Sequence, residues 1–350
     1  MKNLKKVGLS ALAGSLAAFS ANAVEVSVSG KTEVTYSGTT DGVNGNKFGG
    51  GNALTFSGSG DVNGMTATYT AVIQDGGQAN SNTSETFASA SLMVDMGDMG
   101  TVGFDQGVGE FGVSTIDDKM PYAYEEIWTY TGGSNGLRAA GGSNVLGYKN
   151  TFAGYTLSVE IDPGHFSSTT ATKGASGDGG NTGAGTDRSG YNYAITGSPI
   201  DGLNVGVGYG KEEDSGTAAA NKQDDTFTTG FVTYAMGGLT VGYQKSEGNG
   251  GTTATNSNIV DIMGVSFQVN ENLAISVNSM ENEFDKPSGT NVTEETDGVG
   301  ISYTMGSASL RMLRAETSNK GGVSTATDVE HTEVSCLLYT SDAADDQACG

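Results

Sequence analysis

Apolar and polar residues alternate one by one along almost the whole chain. In the first such segment, one parity holds Val24, Val26, Val28, Val34 and Tyr36, and the other holds Glu25, Ser27, Ser29, Lys31, Glu33 and Thr35. Successive side chains of a β-strand point to opposite faces, so a period of two predicts a strand with one apolar and one polar face. A chain built from such segments can only fold as a sheet whose two faces meet different environments.

Two kinds of connection alternate between these segments. Short turns rich in Gly and Asn, such as residues 61–64 and 97–100, join seven pairs of segments, and eight connections are long and polar. About sixteen strands in this rhythm indicate an all-β fold: a transmembrane antiparallel β-barrel with short periplasmic turns and long extracellular loops. Closure satisfies every backbone hydrogen bond in lipid, where an open sheet edge is not tolerated.

The N-terminus carries the pattern of a secretory signal peptide. Three lysines within the first six residues precede an apolar run at residues 7–19, and a small-x-small peptidase site ends at Ala23. We therefore interpret residues 1–23 as a removed signal peptide and residues 24–335 as the barrel. The alternative, an N-terminal anchor, is disfavoured because the apolar run is too short to cross a bilayer as a helix.

The last fifteen residues have a different character. Both cysteines, Cys336 and Cys349, lie here, and residues 336–345 match one reading frame of a common transposase-end sequencing adapter. We therefore predict that residues 336–350 are a non-native tail and that the last strand is truncated after Ser335. The native part then contains no cysteine, so no disulfide is expected. The alternative is a genuine acidic tail with a disulfide that closes a loop.

The charge balance narrows the possible functions. The chain has 40 acidic and 17 basic residues, for a formal net charge of -23. An acidic chain cannot neutralise a phosphate backbone, so nucleic acid is not an expected partner, whereas a pore that attracts cations suits this charge. The 14 Tyr and 12 Phe argue against a disordered acidic chain.

The sequence offers little chemistry for catalysis. The only histidines are His165, in a long polar loop, and His331, in the last strand segment. Neither a nucleophile motif in a strand–turn–helix context nor a histidine pair with metal-ligand spacing is present. We therefore predict that the protein is not an enzyme and has no cofactor and no metal site.

These features together resemble the Gram-negative general diffusion porins, which are sixteen-stranded and trimeric. The resemblance covers residues 24–335 and rests on the signal peptide, the Val-Glu-Val-Ser-Val-Ser-Gly opening, the hairpin rhythm and the strand start at Glu333-Val334-Ser335. It implies a homotrimer in the bacterial outer membrane, in contact with lipid and lipopolysaccharide. Its water-filled channels would let small hydrophilic solutes and ions diffuse passively. Such porins normally end in an aromatic residue, whereas this chain ends in Gly350, a departure that truncation explains.

The resemblance singles out the third long connection, residues 105–143, because the third extracellular loop of such porins folds into the barrel and narrows the pore. The segment Glu110-Phe111-Gly112 is similar to an acidic-aromatic-Gly stretch often found in that loop. A connection this long within a compact domain is usually functional. The acidic candidates for the constriction are Glu110, Asp117, Asp118, Glu125 and Glu126.

Basic residues with inward parity are the candidates for the wall that faces this loop. They are Lys31, Lys149 and Arg311, which lie at polar positions of alternating segments. A charge inside the barrel costs little, whereas one that faces lipid at mid-bilayer costs about 2–4 kcal/mol. An acidic loop opposite a basic wall sets a transverse field that favours polar solutes. From the acidic excess we predict a cation-preferring pore.

A different class of protein shares some of these features. A secreted or surface β-rich adhesin or glycan-binding protein would also have a signal peptide, many glycines and an acidic charge. The calcium-binding nonapeptide repeat that such proteins often carry is absent from the sequence. Heat-modifiable migration of a membrane-bound protein on a gel would indicate the barrel, and release into the medium would indicate the adhesin.

Overall fold

The computed structural model describes residues 25–40, 47–74, 86–129, 131, 136–137, 144–162, 189–213, 224–249, 257–285 and 290–340. Within these residues, sixteen antiparallel strands form one closed barrel, which confirms the predicted fold class. The predicted signal peptide, His165 and residues 341–350 lie outside the described residues. The strands are β1 (Glu25–Thr39), β2 (Phe48–Val62), β3 (Met65–Gln74), β4 (Thr86–Asp95), β5 (Thr101–Gln106), β6 (Val145–Phe152), β7 (Tyr155–Asp162), β8 (Gly190–Ile200), β9 (Leu203–Glu212), β10 (Asp225–Met236), β11 (Leu239–Asn249), β12 (Ser257–Gln268), β13 (Leu273–Asp285), β14 (Thr293–Met305), β15 (Ala308–Ser318) and β16 (Val329–Thr340).

The barrel closes because the first and last strands pair. Each strand pairs with its sequence neighbours, and β1 pairs with β2 on one side and with β16 on the other. In the closing pair, Glu33 lies opposite Leu337 and Thr39 lies opposite His331. Strand β16 thus runs five residues past Ser335, up to Thr340. That residues 336–350 are non-native stays a prediction.

The short turns have the geometry that hairpins require. Asn63 and Gly64 have φ angles of 55° and 82°, and Ala153 and Gly154 have φ angles of 51° and 83°. Two central residues with positive φ are typical of the type I′ turn, whose twist matches that of the strands it joins. These residues therefore end one strand and start the next without a break in register.

The outer face of the barrel is apolar, as the alternation predicts. Many large side chains there are exposed, and five of them are between 48 % and 61 % exposed: Leu54, Leu92, Leu146, Val207 and Val277. Their neighbours along each strand point inward and are mostly small or polar. Exposure on this scale would make a water-soluble surface prone to association, whereas it suits the lipid-facing band of a membrane barrel.

Several strands extend into segments that alternation alone assigns to loops. Strand β11 continues to Asn249, β13 continues to Asp285, and β14 begins at Thr293. Apart from Phe284 on β13, these extensions carry no large apolar side chain on either face. Backbone hydrogen bonds hold a ladder together whatever the side chains are, so pairing continues beyond the apolar band that marks the membrane.

The inner face differs from the expected polar lining over half of the barrel. On β8 to β15, eight inward residues form a buried apolar patch: Ala194, Phe227, Phe231, Val260, Ile262, Met280, Leu313 and Ala315. Because a water-filled barrel would leave such side chains wet, something must cover them. The cover is the connection between β5 and β6.

Among the described residues, helical structure is limited to three short 3-10 helices, Gly97–Met99, Gly112–Ile116 and Lys320–Gly322. The second of these turns lies inside the barrel, where its backbone contacts the inner wall. Among the described residues, no helix has the length and apolarity needed to cross a membrane.

Candidate constriction inside the barrel

The connection between β5 and β6, residues 107–144, is called the inserted loop from here on. Its inward course begins at Asp105, the last inward residue of β5, which is buried. The carboxylate of Asp105 accepts hydrogen bonds from the backbone N–H groups of Val108 at 2.7 Å, Gly109 at 2.9 Å and Glu110 at 2.5 Å. Three successive donors on one carboxylate form a tight turn that directs the chain into the lumen.

The first segment of the loop docks on β7 and β8. The Gly112 N–H donates to Ser158 Oγ at 2.8 Å, and the Val113 N–H donates to Asn192 Oδ1 at 2.8 Å. Asn192 is itself held by Glu160, to which its side-chain amide donates at 3.0 Å. Gly112 has φ of 59°, and a Cβ there would lie 1.7 Å from Asn192 Oδ1. Only glycine therefore fits this point of the loop.

The next segment docks on β13. The Ala123 N–H donates to Ser276 Oγ at 2.9 Å, and the Asn278 side-chain amide donates to the Pro121 carbonyl at 2.9 Å. The loop thus follows the inner wall from β6 past β13. Its exposed backbone groups find partners in side chains of the wall, as buried backbone in a lumen must.

Where the loop packs on the inner wall, several inward positions of the strands are glycines, which have no side chain. At Gly147, a Cβ would come within 1.9 Å of the Phe111 ring, so any side chain there would displace that ring. The inward glycines that touch the loop are Gly103, Gly147, Gly208, Gly242, Gly264, Gly298 and Gly300. A row of glycines in strands marks the close approach of another backbone. The sequence shows these glycines, but their shared partner is visible only in the structure.

One side of the loop is apolar and packs on the apolar patch of the wall. Its residues are Val113, Ile116, Met120, Tyr124, Ile127 and Trp128, all of them buried. Contact between two apolar surfaces removes both from water, at about 25 cal/mol for each Å² that is buried. This packing holds the loop against β8 to β15.

The other side of the loop carries the acidic candidates. Asp118 is exposed, and Asp117, Glu125 and Glu126 are partly buried. The carboxylate oxygens of Asp117, Asp118 and Glu126 lie within 4.8 Å of one another. The structure therefore brings three of the five predicted acids together, and the fourth, Glu125, precedes Glu126 in the same stretch between Ile116 and Ile127.

Crowding changes the acidity of this stretch. Burial, and then a hydrogen bond and the charge of Asp118, raise the pKa of Glu126 to about 9. Burial also raises the pKa of Glu125 above its usual value, and it raises the pKa of the Tyr122 hydroxyl, with the Asp118 charge adding to that effect. Like charges at close range disfavour full ionisation, so not all of these carboxyl groups are ionised at neutral pH.

The fifth predicted acid, Glu110, meets a predicted wall cation. Lys149 Nζ lies 2.8 Å from Glu110 Oε2, and the same ammonium lies 5.6 Å from the centroid of the Phe111 ring. The two charged side chains are about one-third exposed, which places the pair at the edge of the water-filled lumen. An ion pair and a cation–π contact together fix the start of the loop to β6.

The second wall cation, Arg311, meets the far part of the loop. Its guanidinium carbon lies 4.4 Å from the centroid of the Tyr124 ring, and its Nη2 donates to Glu33 Oε1 at 2.5 Å. Only 16 % of the Arg311 side chain is exposed. Arg311 is therefore an anchor for the loop more than a charge in free contact with solutes.

The third wall candidate stands apart from the loop. Lys31 lies on β1 two residues before Glu33, has the same parity and is exposed. Two residues of strand correspond to about 6.6 Å. Within the described part of the chain, no side-chain hydrogen bond or ion pair joins Lys31 to the loop. Of the three predicted cations, the structure brings Lys149 and Arg311 to the loop.

Sequence reasoning missed the residues that hold the loop in place. Asp105, Ser158, Asn192 and Ser276 are ordinary polar positions in an alternating pattern, and nothing local distinguishes them. A detectable signal was the break in alternation at Val260 and its neighbours, where apolar residues occupy inward positions. Inward apolar residues in a barrel indicate that something covers them.

Comparisons with known proteins found one matching family and several solved structures with this fold. A family model described as Gram-negative porin matches residues 8–322. Salmonella typhi OmpF in complex with daunomycin superposes with a TM-score of 0.67 at 12 % identity, covering 91 % of this chain and 98 % of that chain. Vibrio cholerae OmpT, an outer membrane protein in its trimer form, gives a TM-score of 0.63 at 12 % identity, with 91 % and 100 % covered.

A third solved structure with this fold is an anion-selective porin from Comamonas acidovorans. It gives a TM-score of 0.62 at 12 % identity and covers 91 % of this chain and 100 % of that chain. Identities this low show the shared fold. No curated protein matches the chain at a significant level.

Proposed function

Because the chain belongs to the Gram-negative porin family and is thus an outer-membrane pore for passive diffusion, we propose that this pore prefers cations and that the inserted loop sets the preference. The family and the closed barrel do not favour the adhesin alternative. They also fit the prediction that the protein is not an enzyme, because the family consists of channel proteins.

One observation carries the proposal: the local balance of charge at the inserted loop. Each wall cation that touches the loop is paired with an acid, Lys149 with Glu110 and Arg311 with Glu33. Against these balanced pairs, the less buried side of the loop adds Asp117, Asp118 and Glu125, and Glu126 adds its charge only in alkaline solution. In a narrow passage with walls of low dielectric constant, such an excess raises the local concentration of cations.

The fold alone does not decide the sign of the preference. The Comamonas acidovorans protein has the same fold and is described as anion-selective. Selectivity must therefore come from the side chains that line the passage. In this chain those side chains include the acidic stretch between Ile116 and Ile127.

The test is the reversal potential of single channels in a planar bilayer under a salt gradient. We expect a cation-side potential for the wild type and a shift toward zero for the double variant D118N/E125Q. The matched control is Asp297→Asn, which removes one acid from the outer face of β14 and should leave the potential unchanged. A wild type with an anion-side potential, or a double variant that behaves like D297N, would contradict the proposal.

We also propose that the chain assembles as a homotrimer in contact with lipopolysaccharide. Family membership supports this, and the similar Vibrio cholerae protein is described in its trimer form. Chemical cross-linking in outer-membrane vesicles should give a species of three times the monomer mass before heating. Monomers alone from folded protein would contradict the trimer. Lipopolysaccharide that is lost on mild detergent extraction would contradict the lipid contact.

A further inference from the structure

The inserted loop reaches the place where the barrel closes. The Tyr124 hydroxyl donates a hydrogen bond to Glu333 on β16, and it lies 3.4 Å from Glu33 Oε1 on β1. Strands β1 and β16 are the first and last of the barrel and pair with each other. One hydroxyl of the loop thus touches both sides of the closing seam.

Arg311 on β15 joins the same group. Its Nη2 donates to Glu33 on β1 at 2.5 Å and to Ser335 Oγ on β16 at 3.0 Å, and the Ser335 hydroxyl also donates to Glu33. The guanidinium lies over the Tyr124 ring. We call Glu33, Tyr124, Arg311, Glu333 and Ser335 the seam clamp.

The members of the seam clamp come from distant parts of the chain. Glu33 and Arg311 are 278 residues apart, and Tyr124 and Glu333 are 209 residues apart. Arg311, Glu333 and Ser335 lie on the paired neighbouring strands β15 and β16. Glu33 on β1 joins them only when β1 and β16 pair and the barrel closes. Before closure, Tyr124 and Arg311 both lack Glu33, the member of the clamp that lies on β1.

We propose that the seam clamp couples the pore constriction to closure of the barrel, with Tyr124 as the positioning residue. Tyr124 directly precedes the acids Glu125 and Glu126 in the chain. Because the clamp fixes the position of Tyr124, it also sets the position of these two acids in the lumen. In return, the loop ties β1 to β16 across the seam. A barrel that has not closed has no fixed constriction.

Burial makes the coupling strong enough to measure. Tyr124 is 8 % exposed and Glu333 is 3 % exposed. Hydrogen bonds to charged groups and cation–π contacts gain strength when they are withdrawn from water. Removal of the tyrosine ring also leaves Arg311 and Glu333 with fewer partners, and the loss of a partner at a buried charge is costly.

The barrel supplies its own control at the other end of the loop. Lys149, Glu110 and Phe111 form an ion pair and a cation–π contact of the same kind. These residues, however, belong to β6 and to the adjacent start of the loop, far from the seam in the strand order. Loss of this anchor should loosen the loop without loosening the closing strands.

The experiment compares Y124A, Y124F and K149M with the wild type by amide hydrogen exchange of the full folded chain in detergent micelles. We expect the β1 and β16 amides to exchange about tenfold faster or more in Y124A, an effect of the size of one lost buried charge-assisted contact. Y124F keeps the ring over Arg311 and loses only the hydroxyl, so its increase should be smaller. K149M should leave the seam amides at wild-type rates.

A second readout is the open channel in planar bilayers. Y124A should show a larger conductance and more open-channel noise than the wild type, and Y124F should lie between them. Unchanged seam exchange in both Tyr124 variants, or equal loosening of the seam by K149M, would overturn the proposal. Should Y124A not fold, the Y124F exchange rates decide.

The conductance readout rests on the proposed pore function, and the exchange readout does not. A wild type that is folded and inserted but forms no channel would refute the pore function. The exchange comparison would still decide whether Tyr124 ties the loop to the seam. The two failures are thus distinguishable.

Discussion

Glu126 shows how crowding can keep a carboxyl group protonated at neutral pH. Its pKa is raised to about 9, first by burial and then by Asp118. The group is therefore largely neutral at pH 7 and ionises only in alkaline solution. Since the pKa in the folded protein lies above the ordinary value of 4.5, protonated Glu126 stabilises the docked loop at low pH. That contribution is lost as the pH rises through about 9.

This leads to a prediction about pH. Between pH 7 and pH 10 the wild-type channel should become more cation-preferring, because Glu126 gains its charge in this interval. The variant E126Q should match the wild type at pH 7 and should lose most of the change at pH 10. Reversal potentials at the two pH values check this. An E126Q channel that differs strongly from the wild type at pH 7 would show that Glu126 is already charged there.

At the scale of the element, the inserted loop is amphipathic without being a helix. Buried residues such as Ile116, Met120 and Ile127 recur along it and face the wall, and acids lie between them. The inner wall opposite the loop carries a matching apolar patch, and its glycines let the loop pack closely against the strands. Packing against this patch, more than any single hydrogen bond, keeps the loop inside the barrel.

Truncation of one buried side chain of the loop should therefore loosen it. Ile127 is fully buried and contacts Gly298 on β14. The substitution Ile127→Ala leaves a cavity and should weaken docking of the loop by about 2–5 kcal/mol. We expect more open-channel noise and faster proteolysis within the loop, with unchanged heat-modifiable migration of the barrel. The exposed neighbour Thr129→Ala serves as the control, and identical noise in both variants would contradict the packing account.

The whole molecule is acidic, with a net charge of -23, and encloses a lumen that the loop narrows. Acids that lie away from the inserted loop, such as Asp297 on the outer face of β14, act on ions in the pore only through water. The Debye length falls from about 10 Å at 0.1 M salt to about 3 Å at 1 M. Distant charges therefore matter at low salt, and charges at the constriction matter at every salt concentration.

Cation preference should accordingly decline with ionic strength without disappearing. Reversal potentials measured at a fixed concentration ratio should be larger with about 0.1 M salt than with about 1 M salt. The remainder at high salt should be clearly smaller in D118N/E125Q, which lacks two of the loop acids. A preference that is independent of salt in both proteins would mean that neither set of charges controls selectivity.

The sequence by itself determined the barrel and its hairpins. Alternation is a property of neighbouring residues, and a turn such as Asn63-Gly64 needs only its own two residues to adopt positive φ. The parity of Lys149 and Arg311 is local in the same sense, and the structure places both on the inner wall. The acidic stretch of the inserted loop was equally readable, because charge and loop length appear directly in the chain.

Only the tertiary structure decided what these residues meet. Glu33 pairs with Arg311 across 278 residues, and Tyr124 reaches Glu333 across 209 residues. No local pattern encodes such partners, since they depend on which strands become neighbours when the sheet closes. The same holds for Val260 and the other inward apolar residues. They contradict the alternating pattern locally, and they are explained only by the loop that returns from a different part of the chain to cover them.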